Sequence, residues 1–308
     1  MQTIVTLTVN PAVDTSSSVP HVSPDHKLRC SAPRHDPGGG GINVSRAIHK
    51  LGGESLAVYT AGGPTGDLLK VLLDKEGVSQ QPLPVKAWTR ENLYVLEEAT
   101  RHQYRFIMPG APLEEAEWLR CLECLDKLPE KPAYVVASGS LPPGVPDDFF
   151  ARVARLARRM GSKFVLDTRQ PALNLALKEG IYLAKPNLHE LCELVGRDLR
   201  DEPHQAEAAL ELVHGGRCEM VVLSLGPAGA LLATAEGTER LRAPSVRVHS
   251  RVGAGDSMLA GVVLGLSRGM APRAAVRYGI AAGAAATLNP GTQLCGREDT
   301  ERLFDLTP

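Results

Sequence analysis

Gly253-Ala254-Gly255-Asp256 runs almost directly into Met258-Leu259-Ala260-Gly261-Val262-Val263-Leu264, so two glycines and a carboxylate stand at the start of an apolar helix. Small residues there leave backbone N–H groups facing outward, where the helix dipole favours an anion. A carboxylate beside such a cradle is well placed to take up a proton. The four residues alone fit an ordinary N-cap as well, with Asp256 satisfying free helix amides.

Working back along the chain, short β-rich runs alternate with helical patterns. The spacing predicts strands at 3–9, 55–60, 133–138, 163–167, 181–184, 219–224 and 229–234, and helices at 42–51, 65–76, 146–160, 204–214, 256–267 and 272–287. That alternation specifies an α/β fold with a mainly parallel sheet covered by helices on both faces. Two stretches break the rhythm. Residues 16–36 are polar, Pro-containing and weakly strand-like, and 92–98 with 103–108 alternate like a hairpin around Ala99-Thr100-Arg101-His102. They are material for a small second sheet that closes over a site or pairs with another subunit, or else plain edge strands. Without repeats, low-complexity tracts or an evident linker, residues 1–308 read as one continuous domain with an excursion.

Charge narrows the partners. Lys plus Arg total 34 against 35 for Asp plus Glu, so no global field is available to hold nucleic acid or an anionic membrane, and a small molecule is the expected partner. Apolar residues make up 43% of the chain, yet no run approaches the roughly 20 residues of a bilayer span. The strand-like Thr3-Ile4-Val5-Thr6-Leu7-Thr8-Val9 lacks the layout of a signal peptide, and the expected location is cytoplasmic. Cys30, Cys121, Cys124, Cys192, Cys218 and Cys295 show no framework spacing and read as reduced thiols. Cys121 and Cys124 form a C-x-x-C inside a Leu- and Glu-rich helical pattern, with no second pair or His cluster to make a metal site.

Several other clusters carry chemical meaning. Gly38-Gly39-Gly40-Gly41 precedes the amphipathic helix starting at Ile42-Asn43-Val44, and matches neither a dinucleotide fingerprint nor a P-loop. A close backbone approach to a hydroxylated ligand, with the Asn43 amide as partner, fits it; a flexible turn with Asn43 exposed is the plainer reading. Asn10-Pro11-Ala12-Val13-Asp14 ends the first strand, where ligands of parallel sheets bind, though an isolated acid there is often a turn residue. In Lys185-Pro186-Asn187-Leu188-His189-Glu190 the Asn and Glu share one face of a helix start, suited both to a hydrated Mg2+ and to a capping box. Ser224-Leu225-Gly226-Pro227-Ala228-Gly229 is a small-residue turn that admits a nucleotide or simply joins two strands, and Ser138-Gly139-Ser140-Leu141-Pro142-Pro143-Gly144 places hydroxyls at the same rim.

Taken in order, the Gly-rich helix start, N-x-x-E and G-A-G-D resemble the ribokinase-like (PfkB) carbohydrate kinases over essentially the whole chain. Within that family the likeness is greatest to the phosphosugar kinases, and to B-type 6-phosphofructokinases among them. It is carried by Thr6-Leu7-Thr8-Val9-Asn10-Pro11-Ala12-Val13-Asp14, Lys27-Leu28-Arg29, Trp88-Thr89-Arg90, Gln103-Tyr104-Arg105-Phe106, the Gly-Ser-Leu-Pro-Pro-Gly run from Gly139, and Ala285-Ala286-Thr287-Leu288-Asn289.

The resemblance implies a three-layer α/β/α sandwich with a mainly parallel central sheet and a small β-sheet lid made of about 15–36 and 88–109. It implies ATP-dependent phosphorylation of fructose 6-phosphate to fructose 1,6-bisphosphate, with Asp256 as base and the amides of Gly253, Ala254, Gly255 and Asp256 as anion hole. Asp14, Gly38, Gly39, Asn43 and Ser140 would hold the sugar, and Lys27, Arg29 and Arg90 its phosphate. Lys185, Asn187, Ser224, Gly226 and Gly229 would line the ATP site, Asn187 and Glu190 would act on Mg2+ through water, and Ser250, Val252, Ala286, Asn289 and Gly291 would surround a K+ ion. Pairing of lids would make a homodimer. Tagatose-6-phosphate kinase, 1-phosphofructokinase and a non-catalytic binder of sugar phosphate or ATP remain the alternatives. Two departures stand out: Gln293 where relatives often carry Arg, and Asp167-Thr168-Arg169-Gln170-Pro171 in place of a Ser-Gly continuation. Both are expected to lie outside the chemistry.

Overall fold

Val135 and Ala137 turn their side chains into one apolar core, while Tyr134 and Val136 enter another on the opposite side of the same strand. A strand covered on both faces reads as a continuous apolar run rather than an alternating one, and that is how 133–138 reads. The computed structural model describes residues 2–306. In chain order its strands are β1 (Ile4–Thr8), β2 (Ala12–Val19), β3 (Arg34–Gly38), β4 (Leu56–Ala61), β5 (Gln80–Pro84), β6 (Arg90–Glu97), β7 (Gln103–Phe106), β8 (Tyr134–Ser138), β9 (Lys163–Asp167), β10 (Ile181–Ala184), β11 (Cys218–Ser224), β12 (Ala230–Thr234) and β13 (Gly237–Leu241). The helices are α1 (Gly40–Lys50), α2 (Gly63–Lys75), α3 (Glu115–Asp126), α4 (Phe149–Met160), α5 (Ala172–Leu177), α6 (Leu188–Val195), α7 (Glu202–His214), α8 (Ala254–Ser267), α9 (Pro272–Thr287) and α10 (Arg297–Leu306).

The large sheet has the order β13-β12-β11-β10-β9-β8-β1-β4-β5 and is parallel from β5 to β11, with β12 and β13 added antiparallel. One face packs on α3, α4, α5 and α7 through residues such as Trp118, Phe149, Leu173 and Ala208. The other packs on α1, α8, α9 and α10 through Val44, Val263, Ala281 and Leu303. This is the three-layer sandwich. Strand order turns back at β1, which has β4 on one side and β8 on the other, and such switch points open a crevice at the carboxyl ends of the strands. Small residues fix α8 above that crevice, because a Cβ on Gly261 would lie 2.8 Å from Gly279 Cα of α9.

A second sheet of order β3-β2-β6-β7 stands beside the crevice. The 92–98 and 103–108 pattern is its antiparallel hairpin, observed at Arg90–Glu97 and Gln103–Phe106. Residues 16–36 are only partly strand: β2 ends at Val19, β3 begins at Arg34, and 20–33 has no regular structure, interrupted by Pro20, Pro24 and Pro33. The first strand ends at Thr8, so Asp14 belongs to the small sheet rather than to the rim of β1. Edge strands β5 and β13 lie outside the predicted strands; Pro82 and Pro84 are tolerated in β5 because it lies at an edge. No helix among the described residues is long and apolar enough to cross a membrane. All six cysteines are unpaired, and burial pushes the Cys121 thiol of the C-x-x-C up to about 12, leaving it protonated.

Candidate active site

Gly253 adopts a left-handed conformation (φ 73°) as the N-cap of α8, and no side chain caps the first turn. A Cβ there would also approach Leu294 to 2.5 Å, so glycine is required twice over. Asp256 is the third residue of the helix, and its carboxylate turns away from the helix amides. It accepts from Asn43 Nδ2 at 3.0 Å and from the Ser138 hydroxyl at 3.4 Å. The N-cap reading of Asp256 therefore fails, and the amides of the first turn are left for a ligand.

Burial raises the Asp256 pKa from 3.8 to about 6, with the Asp167 carboxylate adding to the rise and Asn43, Lys185 and Ser138 opposing it. Asp256 lines a cavity of about 900 Å³ together with Asn10, Gly40, Arg90, Ser140, Asp167, Arg169 and Glu190. Its size suits a phosphorylated sugar with the end of a nucleotide.

The glycine run before α1 is not a flexible turn. A Cβ on Gly40 would collide with Ser138 and one on Gly41 would lie 2.6 Å from Leu7 O, so α1 starts with its backbone against the ends of β8 and β1. Gly39 has φ 107°, and a Cβ on Gly38 would strike the Asp14 carboxyl at 2.6 Å. Asn43 is correspondingly buried rather than exposed. The buried Asp14 accepts from Asn92 at 2.8 Å, and desolvation raises its pKa against the pull of Asn92, Arg46 and Arg90.

Arg90 donates to three backbone carbonyls, Asn10 at 3.0 Å, Met108 at 2.9 Å and Pro11 at 3.4 Å. No carboxylate bonds this guanidinium, so it brings a fixed positive charge to the cavity wall. Ser140 accepts from Asn10 at 3.1 Å beside it. Lys27 and Arg29 are exposed within 20–33 and are absent from the cavity lining.

The nucleotide set lies along the ends of β10 and β11. Lys185 is buried and pairs with Asp167 at 3.0 Å. Desolvation would lower its pKa, but Asp167, with Asp256 and Glu190 behind it, raises it on balance, so Lys185 stays charged. Its Nζ sits 3.8 Å from where a Gly255 Cβ would be, beside the anion cradle. Asn187 and Glu190 form a capping box, each bonded to the other's backbone N–H at 2.9 Å, yet Glu190 still faces the cavity and burial raises its pKa. Asn187 and Ser224 are bridged by their backbones. Gly226 opens onto free space, whereas Gly229 (φ 93°) is held by close contact with Leu241 and Ala243.

Farther along, the Ser250 hydroxyl donates to Gly291 O at 2.7 Å and accepts from the Val252 N–H at 3.2 Å, bringing three of the five cation candidates together. Asn289 donates instead to Leu294 O at 2.9 Å, and Ala286 is buried in α9. The loop departure does touch the chemistry, contrary to expectation, because Asp167 bears on Asp256 and Lys185 while Arg169 lines the cavity. A charged pair directly after an apolar strand was the available signal.

Residues 4–299 match the pfkB family of carbohydrate kinases. The chain is 50% identical over 303 residues to ATP-dependent 6-phosphofructokinase isozyme 2 of Mycobacterium tuberculosis, covering 98% of this chain and 89% of that protein. It is 44% identical over 305 residues to the Escherichia coli protein of the same name, covering 99% and 98%. Phosphofructokinase-2 from Escherichia coli in complex with potassium superposes with a TM-score of 0.96 at 44% identity, covering 99% of each chain. The same protein in complex with fructose-6-phosphate gives 0.94 at 42% identity with the same coverage.

Proposed function

The chain belongs to the pfkB family of carbohydrate kinases, and from that membership we propose that it is an ATP-dependent 6-phosphofructokinase, making fructose 1,6-bisphosphate from fructose 6-phosphate. The observation that carries the mechanism is the Asp256 carboxylate, buried and turned away from its own helix into the cavity. A pKa of about 6 leaves it mostly ionised at neutral pH and still basic enough to take the proton of the C1 hydroxyl as that oxygen attacks the γ-phosphorus. The N–H groups at the start of α8, with Lys185 beside them, stabilise the charge on the transferring phosphoryl group.

Arg90, joined by Arg169, meets the phosphate the sugar already carries. Asp14, Gly38, Gly39, Asn43 and Ser140 hold its hydroxyls. The small sheet acts as a lid, and Lys27 and Arg29 reach the phosphate when segment 20–33 closes. ATP lies along Asn187, Ser224, Gly226 and Gly229. Lys185 pairs with Asp167 and lies in the field of Glu190, whose carboxylate borders the cavity; among the described residues no cluster of three or more His, Cys, Asp or Glu side chains forms a metal cage, so a divalent cation here would keep most of its waters. Mg2+, held through water by Asn187 and Glu190, would neutralise charge on the nucleotide phosphates. K+ would sit among Ser250, Val252, Ala286, Asn289 and Gly291, behind the anion cradle.

The outer face of the small sheet carries Leu93, Tyr104 and Phe106, each at least one-third exposed, with Leu93 opposite Phe106 across the ladder. That apolar face supports a homodimer formed through the lid. A panel of fructose 6-phosphate, tagatose 6-phosphate and fructose 1-phosphate with ATP and Mg2+, followed by ADP release, tests the assignment. A higher kcat/KM for either of the latter two would transfer it to that sugar, and binding without ADP release would make the protein a non-catalytic sensor.

A further inference from the structure

Arg46 lies on α1 one helical turn beyond Asn43 and is only 1% exposed. Its Nε and Nη2 form a fork onto the carboxylate of Glu76 at 2.9 and 2.6 Å. Nη1 donates to Pro37 O at 2.7 Å and to Asn43 Oδ1 at 3.1 Å. Asp36, engaged with Arg34 and Thr292, stands 3.9 Å from Nη2, and Asp14 of β2 lies within its field. A guanidinium so enclosed is out of reach of any substrate.

An asparagine offers an oxygen at one end and an NH2 group at the other, and either can face a neighbour. A guanidinium has donors only. The end of Asn43 that meets Arg46 must therefore be its oxygen, which leaves the NH2 group to donate to Asp256 Oδ2. Turned round, Asn43 would set its oxygen against the Asp256 carboxylate, acceptor against acceptor.

We propose that Arg46 is a positioning residue for phosphoryl transfer: clamped by Glu76, it locks Asn43 in the one orientation that holds Asp256 as an ionised base. The proposal rests on the base role of Asp256. Asp256 is faced by Asn43 from α1, Ser138 from β8, Asp167 from the end of β9 and Lys185 from just beyond β10, with Tyr94 of β6 within electrostatic reach. Of these Arg46 bonds only Asn43. Losing the Asn43 donor removes one of the interactions that lower the Asp256 pKa, so the carboxyl would keep its proton to higher pH.

The test is kcat against pH from about 5 to 9 for wild type, Arg46→Met, Arg46→Lys and Glu76→Gln, with folding checked by circular dichroism. In Arg46→Met the acidic limb should move up by roughly half to one pH unit, so that the loss of rate is about two- to fivefold near pH 6 and shrinks towards pH 9. Arg46→Lys, which keeps a donor-only head group, should restore part of the shift. Glu76→Gln should move the limb in the same direction by less. A limb that stays in place, or a loss equal at every pH, overturns the proposal. If Arg46→Met does not fold, Glu76→Gln decides on the same criterion. Asp256→Asn separates the two ideas: if that variant keeps wild-type turnover, the base role itself is wrong, whereas a limb that it abolishes but the Arg46 and Glu76 variants leave unmoved removes only the positioning role.

Discussion

At the start of α1 the backbone of Gly41 is so close to β1 that a Cβ would lie 2.6 Å from Leu7 O, whereas along 20–33 residue after residue faces solvent without regular structure. The first borders the cavity and the second does not, and the two are built by opposite rules. Around Asp256 the carboxylate and the Asn43 amide are bonded in place, and the backbones packed against Gly40 and Gly41 admit no side chain. Along 20–33 the charges of Lys27 and Arg29 stand free of the cavity, and the outer face of the adjoining small sheet is apolar and exposed. On the proposed function, phosphoryl transfer, which depends on preorganisation, would belong to the first region, and recognition and assembly, which tolerate movement, to the second.

Substitutions in the rigid region should produce the largest effects. Asp256→Asn removes the base while keeping size and one acceptor, and we expect kcat to fall by about 10²- to 10⁴-fold with little change in the KM for ATP. A loss below tenfold would mean that positioning alone drives the reaction. Arg90 borders both regions. Replacing it with Met removes charge-assisted contacts of roughly 1.5–3 kcal/mol, so the KM for fructose 6-phosphate should rise about 10- to 100-fold. An unchanged KM would remove the phosphate from this end of the cavity. Protonation is a gentler test of the same base. Because burial raises the Asp256 pKa to about 6, its ionised fraction falls as pH drops through that value. At pH 5 kcat should be about a tenth of its plateau, a profile that a base near its ordinary value of 3.8 would not give.

How much of this was legible depended on whether a feature was local. Gly253 to Asp256 could be read because an anion cradle is made by consecutive residues, and β8 because strands buried on both faces are apolar throughout. Edge strand β5, with Pro82 and Pro84, carries no such run, because an edge needs fewer partners. Asp14 was assigned to the wrong sheet, since nothing in Pro11-Ala12-Val13 marks where one sheet ends and the next begins. Arg46 carries no sequence signal, and Asp167 and Arg169 stand out only as a departure from the family pattern, because their meaning lies in contacts with Asn43, Glu76, Lys185 and the cavity, which sequence spacing does not encode. The smallness of the glycine run is legible, but the close packing of its backbone on β1 and β8 is not.

In the small sheet the effects should be modest in rate. Phe106→Asp places a charge on the exposed apolar face, and sedimentation should show it shifting a dimer to monomers while the thermal stability of the chain stays nearly unchanged, because Phe106 is 48% exposed. A variant that stays dimeric would move assembly to another face, and a monomeric wild type would remove it.

Lys27→Ala gives the smallest expected change and the sharpest test of the division. Lys27 is exposed and lies outside the cavity, so the proposed contact with a sugar phosphate would require segment 20–33 to move towards it. A solvent-facing ion pair contributes roughly 0.2–1 kcal/mol, and the KM for fructose 6-phosphate should rise by no more than about fivefold, with kcat unchanged and the difference fading as salt is added. An effect as large as that of Arg90→Met would mean that the closed segment buries Lys27 against the phosphate as firmly as Arg90. The boundary between rigid chemistry and adjustable recognition would then not run between α1 and segment 20–33.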